Sequence, residues 1–498
     1  MNDDKDVLNE GEDIDFNIID QKADVGIRWN TISLTYSAIT QFIMMVFLAR
    51  LFTPEEYGIM GLILIVLGFG IAFSDVGVSG AVIHYQKVSK RQISTIFWIT
   101  FVIGFLIFLI LVLIAPLISI FYNKSELTSL IRVTAIIFLI IPIGQQFETL
   151  LRKDLVFRSI ALIDVITSTI LVGSSILLAF YGWGVMSVVI GYILRSLVKS
   201  CLLLIIGLKI WKPSLEFKLS EVNNFLSFGF YQMGERSINL LNSNFDKILI
   251  GKFLGTTALG YYTIAYNLVL YPINLINPIF TRVSFPYFSK MQNNVKMLKE
   301  KYLDLISTVS SINFPILLML FLIAPNFVPL LYGVEWYPSI ILVQILSLVG
   351  LFRSIHNPVG SLLLAKGYAK RGFFWNAVVA AIQPVIIILG VYFGGINEVA
   401  IAFLLSNFIL FYFFYFFLVK KVLEPCFKDY LKSFGIFLLF SILATFISFL
   451  GGLVFWTPSN LFQSLYYVSL GSIAYLCLIF IFKREFLIDF IKRFIKKH

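Results

Sequence analysis

Apolar positions in this chain neither alternate nor follow a narrow helical stripe. They come in unbroken runs that recur to the C-terminus, parted by short polar stretches. A run of about twenty such residues crosses a roughly 30 Å hydrocarbon layer as one α-helix. The pattern therefore predicts an all-α polytopic membrane protein of about fourteen transmembrane helices, near residues 29–51, 57–78, 93–121, 128–147, 160–181, 185–208, 225–251, 259–284, 303–331, 339–365, 372–393, 397–419, 433–455 and 464–482.

The connections alternate in charge. Basic residues crowd into Lys87, Lys90 and Arg91; Arg152, Lys153 and Arg158; Lys209, Lys212 and Lys218; Lys290, Lys296, Lys299 and Lys301; Lys366, Lys370 and Arg371; and Lys420, Lys421, Lys428 and Lys432, while the loops between these hold almost none. The C-terminal stretch adds Lys483, Arg484, Lys492, Arg493, Lys496 and Lys497. Because positive charge stays on the cytoplasmic side, both termini are expected there, which demands an even number of crossings.

Composition excludes a soluble reading. Of 498 residues, 59% are hydrophobic and 13% charged, with a mean hydropathy of +0.89, more apolar surface than a soluble core can hide. No polar stretch is long enough to fold alone, so no soluble catalytic domain is expected. Without residues 1–26 the chain holds 37 basic and 19 acidic residues, a net of +18, which raises nucleic acid as a partner, but the positions of the basic residues assign that charge to membrane topology instead. Cys201, Cys426 and Cys477 lack C-x-x-C spacing, so neither a disulfide framework nor a metal site is indicated. Residues 1–26 carry Asp3, Asp4, Asp6, Glu10, Glu12, Asp13, Asp15, Asp20 and Asp24 against Lys5 and Lys22. That is the reverse of a secretory signal and reads as an acidic disordered cytoplasmic tail.

An internal repeat emerges at an offset of 202 residues. Gly58 falls on Gly260, Ala49-Arg50-Leu51-Phe52 falls on Gly251-Lys252-Phe253-Leu254, and Asn30, Ser33, Ser37 and Thr40 fall on Gln232, Glu235, Asn239 and Asn242. Two parallel six-helix lobes follow, 27–208 and 225–419, joined by a cytoplasmic linker at 209–224. Residues 420–482 form two further helices, and 483–498 form a basic cytoplasmic tail.

The seventh predicted helix is the most informative. Gln232, Glu235, Asn239, Asn242 and Asp246 follow at steps of three, four, three and four and share one face. A charge at mid-membrane costs about 2.5–3.5 kcal/mol on insertion scales, so such a face looks into protein or a water-filled cavity; the alternative is a polar seam joining two helices. Arg236 in the same helix and Arg353 in the tenth are buried cations whose planar fork suits phosphate. Arg195 lies in the sixth helix and Arg282 toward the cytoplasmic end of the eighth, while Arg50 and Arg132 sit nearer the outer surface; for Arg50, Arg132 and Arg282 a snorkelling side chain or a structural ion pair is the alternative. The substrate-binding set is thus Arg236, Arg353, Arg282, Asn239, Asn242 and Gln232. Glu235 and Asp246 are the ion-coupling candidates, since a buried carboxyl can take up a proton near neutral pH. Asp75 and Asp164, at inner helix ends, read as caps or salt-bridge partners. His356, one turn from Arg353, reads as structural. Pro272, Pro278 and Pro286, Pro315, Pro325 and Pro329, and Pro358 punctuate helices eight to ten.

Several of these residues carry a resemblance: Gly144-Gln145-Gln146-Phe147; Asn277-Pro278 followed by Thr281-Arg282-Val283 and Phe285-Pro286; Ile312-Asn313-Phe314-Pro315; Asn326-Phe327-Val328-Pro329; and Leu351-Phe352-Arg353-Ser354 leading to Asn357-Pro358-Val359-Gly360-Ser361-Leu362. From about Ile27 onward the chain resembles the colanic-acid exporter branch of polysaccharide flippases, in the superfamily that also holds multidrug extruders and lipid II flippases. The resemblance implies a V-shaped, two-lobed transporter of the bacterial inner membrane. Its substrate would be an undecaprenyl-pyrophosphate-linked sugar bound for capsule, exopolysaccharide or lipopolysaccharide, its surroundings membrane lipids, and its partners a polysaccharide polymerase and other assembly proteins, with no cofactor. Arg282 and Arg353 fall within these motifs, whereas Arg236 matches none of them and rests on the reading of the seventh helix. On electrostatic grounds Arg236 and Arg353 would meet across the cavity on the pyrophosphate and Arg282 would guard the cytoplasmic entrance; the last two helices would shelter the polyprenyl tail, as in the similar lipid II flippases.

Two other classes compete. An organic-cation extruder on the same fold wants an acidic cavity, which the arginines oppose. A membrane-embedded polysaccharide polymerase needs a sizeable outward loop, and the outward connections at Gly182–Gly184 and Gly394–Ile396 span only a few residues.

Overall fold

The computed structural model describes residues 16–75, 77–85, 88–454, 460–486 and 488; the side chains at 16–24, 27, 84, 228, 231, 235, 282, 283, 369 and 460 lie outside that description. Among the described residues every regular element is helical. Twelve helical segments are long and apolar enough to cross a membrane. The two predicted segments missing from that set, the seventh and eighth, form helices of 31 and 36 residues, long enough to cross at 1.5 Å per residue. They are more polar, and the polar stripe of the seventh is the reason on its side. All fourteen predicted segments therefore have a helix.

Contacts divide the chain after Thr257 into two compact units. The first holds α1 (Phe16–Leu51), α2 (Pro54–Ser74), α3 (Val78–His84), α4 (Lys90–Tyr122), α5 (Glu126–Ala135), α6 (Ile137–Lys153), α7 (Phe157–Phe180), α8 (Met186–Gly207) and α9 (Asn223–Phe253). Helix starts are written locally. Thr53 caps α2, its hydroxyl accepting from Glu56 N at 3.3 Å while Glu56 Oε2 accepts from Thr53 N at 2.8 Å, with Pro54 at the first helical position. Ser89 and Gln92 form the same box on α4. Gly144 lets α6 press onto α8, because a Cβ there would stand 2.8 Å from Ser200 Cα.

Of the segment 209–224, expected as a linker, the last two residues begin α9 and the rest is tied into this unit. Trp211 is buried against Phe97 and Phe147, with ring centroids 6.0 and 5.7 Å away. Trp98 Nε1 donates to Ser214 O at 2.9 Å, Ser214 N donates to Ser94 Oγ at 3.2 Å, and Gln92 Nε2 donates to Glu221 O at 3.0 Å. Arg91 pairs with Glu216, Lys153 Nζ donates to Tyr85 O at 3.0 Å, and Lys218 bridges Glu221 at 2.8 Å. That last contact holds the Glu221 carboxyl below its usual range. Three of the basic loops thus gather at one end of the unit. Lys124 with Glu55, and Lys252 with Phe121 O at 2.6 Å, mark the other.

The second unit holds α10 (Gly255–Lys290, apart from its first turn), α11 (Val295–Tyr332), α12 (Ser339–His356), α13 (Val359–Ala365), α14 (Ala369–Phe393), α15 (Ile396–Phe414), α16 (Lys420–Leu423), α17 (Phe427–Val454) and α18 (Asn460–Phe482). Here α11 is central and packs on α12, α17 and α18. Its core joins Phe288, Tyr302, Phe314, Leu362, Tyr415 and Tyr430. Helices α10 and α11 run unbroken through three prolines each. Pro358 does break its helix, parting α12 from α13, and a π-turn at Tyr415–Val419 follows α15. The three basic loops of this unit also meet at one end. Lys366 Nζ donates to Gln292 O at 2.6 Å, and Lys299 bridges Asp429 at 2.6 Å.

Candidate functional site

In the first unit the polar face of α9 is drawn toward α2 and α3. Gly77, with φ +65°, starts α3, and a Cβ there would stand 2.4 Å from Gly229 O; one at Gly80 would strike the Gln232 carboxamide. Only bare backbone lets α3 and α9 approach so closely. The contact brings Arg236 to Asp75, Nη1 to Oδ2 at 3.0 Å. Asp75 Oδ1 accepts from Gln145 Nε2 at 2.6 Å, from Ser79 N at 3.3 Å and from the Ser79 hydroxyl, while Thr149 Oγ1 donates to Ser79 Oγ at 3.0 Å. Asp75 is therefore a salt-bridge partner, as its position implied. It holds an arginine that the internal repeat assigns to the other lobe. The sequence reading missed Gln145, Ser79 and Thr149, although Gln145 stands inside one of the motifs quoted above.

Beyond Arg236 the stripe is mixed in exposure. Asn239 is exposed, Asn242 is half-buried, and Asp246 is buried with Oδ1 accepting from Lys247 N at 2.9 Å. The Glu235 side chain lies outside the described residues. The matching stripe on α1 is in part a seam: Ser37 Oγ meets Ser168 Oγ at 3.0 Å and Tyr36 OH meets Thr169 Oγ1 at 2.7 Å, both on α7. Short hydroxyls satisfied across two helices serve packing rather than a lumen. Asp164 pairs with Lys199 at 3.0 Å, and Lys199 also reaches Glu148 at 3.0 Å.

In the second unit the family-like motifs converge. Asn313 Nδ2 donates to Asn277 Oδ1 at 2.9 Å, and Asn277 Nδ2 donates to Ser354 O at 3.1 Å. Ser354 is four residues before Pro358, so its carbonyl has no helical N–H to meet, and Asn277 supplies one. The Arg282 side chain lies outside the described residues. Arg353 donates to Tyr266 OH and lies over the Tyr266 and Phe403 rings at 5.1 and 5.3 Å. It lines a cavity of about 400 Å³ at the α12–α13 break, together with Asn274, His356, Asn357, Trp375 and Asn376. His356 stacks on Phe414 at 4.0 Å and on Phe411 at 5.9 Å, a structural histidine in the cavity wall. Among the described residues no group of acids, histidines and cysteines forms a metal site.

Similarity to known proteins runs in the same direction. The chain is 32% identical to the teichuronic acid biosynthesis protein TuaB of Bacillus subtilis, over 85% of this chain and 88% of that one. It is 32% identical to the lipopolysaccharide biosynthesis protein WzxC of Escherichia coli, over 87% and 88%. In fold it matches the lipid II flippase MurJ in an inward closed conformation, with a TM-score of 0.76 and 18% identity over 93% of this chain and all of that one. An inward-facing multidrug resistance transporter of the MATE family follows, with a TM-score of 0.59 and 16% identity over 78% and 94%. With residues 47–341 matching the family model described as polysaccharide biosynthesis protein, and with two relatives matched over most of their length, this multi-pass membrane protein belongs to the polysaccharide biosynthesis protein family.

Proposed function

We propose that this protein is a flippase. It moves a polyprenyl-pyrophosphate-linked oligosaccharide from the cytoplasmic to the periplasmic leaflet by alternating access, for capsular, exopolysaccharide or O-antigen synthesis. It acts in the bacterial inner membrane with both termini in the cytoplasm, as a transporter and not an enzyme. The observation that carries the reading is Arg353, a fixed cation lining a cavity beside Asn274, Asn357 and Asn376 within the membrane-spanning segment Ser339–Ala365. A diphosphate brings at least two charges into a partly dehydrated space, and only fixed cations offset that desolvation.

The same cavity speaks against an organic-cation extruder, since its described lining contains Arg353 and no acid. Arg236, steadied by Asp75, and Arg282 supply further cations for the pyrophosphate in this reading. Gln232, Asn239 and Asn242 offer carboxamides for the sugars. Glu235 and Asp246 couple transport to protons or another cation. Helices α17 and α18 shelter the polyprenyl tail.

The test is reconstitution in proteoliposomes with a fluorescent undecaprenyl-pyrophosphoryl oligosaccharide. Wild type should flip it, Arg353→Lys should be slower, and Arg353→Ala slower still, because lysine keeps the charge but loses the fork. Transport of an organic cation with no flipping of the lipid would overturn the reading.

A further inference from the structure

The chain between α8 and α9 presents a row of exposed apolar side chains on a backbone that is held in place. Every second residue of the row's segment is tied to the start of α4. Ser214 N and Oγ meet Ser94 Oγ at 3.2 and 2.9 Å, and Trp98 Nε1 donates to Ser214 O at 2.9 Å. Glu216 pairs with Arg91, and Lys218 N donates to Thr95 Oγ1 at 3.1 Å. The residues between them, Leu215, Phe217 and Leu219, stand 87%, 53% and 50% exposed. Just before them come Lys209, Ile210 and Lys212, all exposed, around the buried Trp211. Single exposed apolar residues mean little, but three held out side by side from a pinned backbone mark a contact with a membrane or a partner.

The helix that carries the row sets its depth. With 33 residues, α4 is about 50 Å long at 1.5 Å per residue, against about 30 Å for the hydrocarbon layer and about 40–45 Å with headgroups. The excess lies at its polar start, because Lys90, Arg91, Gln92, Ser94 and Thr95 precede the apolar run from Ile96 to Phe121. The pinned segment rests on that start and so lies at headgroup depth. Apolar side chains that enter the boundary between headgroups and acyl chains, with lysines beside them in the polar zone, make a contact that anionic lipid strengthens. We propose that residues 209–219 form a binding site for anionic phospholipid: Leu215, Phe217 and Leu219 enter that boundary, and Lys209 and Lys212 hold the phosphates. In the orientation proposed above the site meets the cytoplasmic leaflet, where anionic lipid supplies the opposite charge. The row leads through the turn Leu219–Glu221 into α9 at Asn223. Bound lipid therefore steadies the start of the helix that carries Arg236.

The test places an environment-sensitive dye on Leu215→Cys, and separately on Leu219→Cys, in the full-length protein with its three native cysteines replaced. In nanodiscs of mixed phosphatidylcholine and phosphatidylglycerol, small amounts of either lipid with a nitroxide on its acyl chain serve as quenching tracers. Both leaflets have one composition, so the outcome does not depend on which end of the protein is cytoplasmic. Both tracers should quench the dye. The phosphatidylglycerol tracer should reach half-quenching at a mole fraction at least about fivefold lower, the worth of one lysine at an anionic surface. Lys209→Gln combined with Lys212→Gln should bring the two tracers level and leave quenching by phosphatidylcholine unchanged. With the dye at 215, Phe217→Ser combined with Leu219→Ser should weaken quenching by both. If aqueous iodide quenches the dye at both positions and neither tracer does, the row stands in water, its occupant is a protein, and the lipid site is refuted. Equal quenching by the two tracers before any lysine is changed, or a preference that survives loss of both lysines, would also overturn it.

Discussion

Arg236 Nη1 stands 3.0 Å from Asp75 Oδ2, with the arginine side chain 49% exposed and the aspartate 11%. The two residues are unequal. Asp75 is also held by Gln145 and Ser79, so removing Arg236 leaves the carboxylate with donors, whereas removing Asp75 takes the acceptor from Arg236, Gln145 and Ser79 together. Asp75→Ala should therefore cost about 1–3 kcal/mol of stability, and Arg236→Ala clearly less. Thermal unfolding of both variants and their double mutant in detergent checks this; equal losses would mean that Arg236 alone secures the aspartate.

The Asn277–Ser354 bond offsets the hydrogen bond that Pro358 removes. Asn277→Leu keeps the branched shape but strands Ser354 O and an Asn313 donor, and should cost about 1–3 kcal/mol. Pro358→Ala in that background should return part of the loss by letting residue 358 donate to Ser354 O. Melting temperatures of the two variants decide it, and a further drop in the double variant would refute the compensation.

Topology is open to labelling. In a background with Cys201, Cys426 and Cys477 replaced, single cysteines at Lys90, Lys153, Lys212, Lys299, Lys366 and Lys421 should resist an impermeant maleimide applied from outside. They should react only after the membrane is opened. Outside labelling at two or more of them would overturn the cytoplasmic assignment.

Coupling is expected to pass through the acids of α9. Glu235→Gln should abolish gradient-dependent flipping in proteoliposomes while leaving the elution profile of the folded protein unchanged. Asp246→Asn, at a buried position near the other end of α9, is the parallel variant. Normal gradient dependence in both would clear this face of the coupling role.

Much of this molecule is legible without coordinates, because a bilayer constrains sequence more simply than water does. Most helices that cross are long and apolar, so runs such as 93–121 declare α4 by themselves, and clustered lysines predict a side. Pro358 announces a break, and Arg353 stands out as a cation in an apolar run. What the one-dimensional pattern does not hold is the partner of each polar group. Ser37 and Asn239 look alike in a stripe, yet one meets Ser168 on α7 and the other stands exposed. Segment 209–222 is polar enough to pass for a linker, but Trp211 and Ser214 find burial and hydrogen bonds against α4. Arg236 joins Asp75 across 161 positions of chain, and Asn274, Asn357 and Asn376 come to one cavity wall from α10, the α12–α13 break and α14. Such pairings depend on which helix faces pack together, through close approaches such as that of Gly77 to Gly229. Helix packing is a property of the whole fold, so no local window of sequence encodes it.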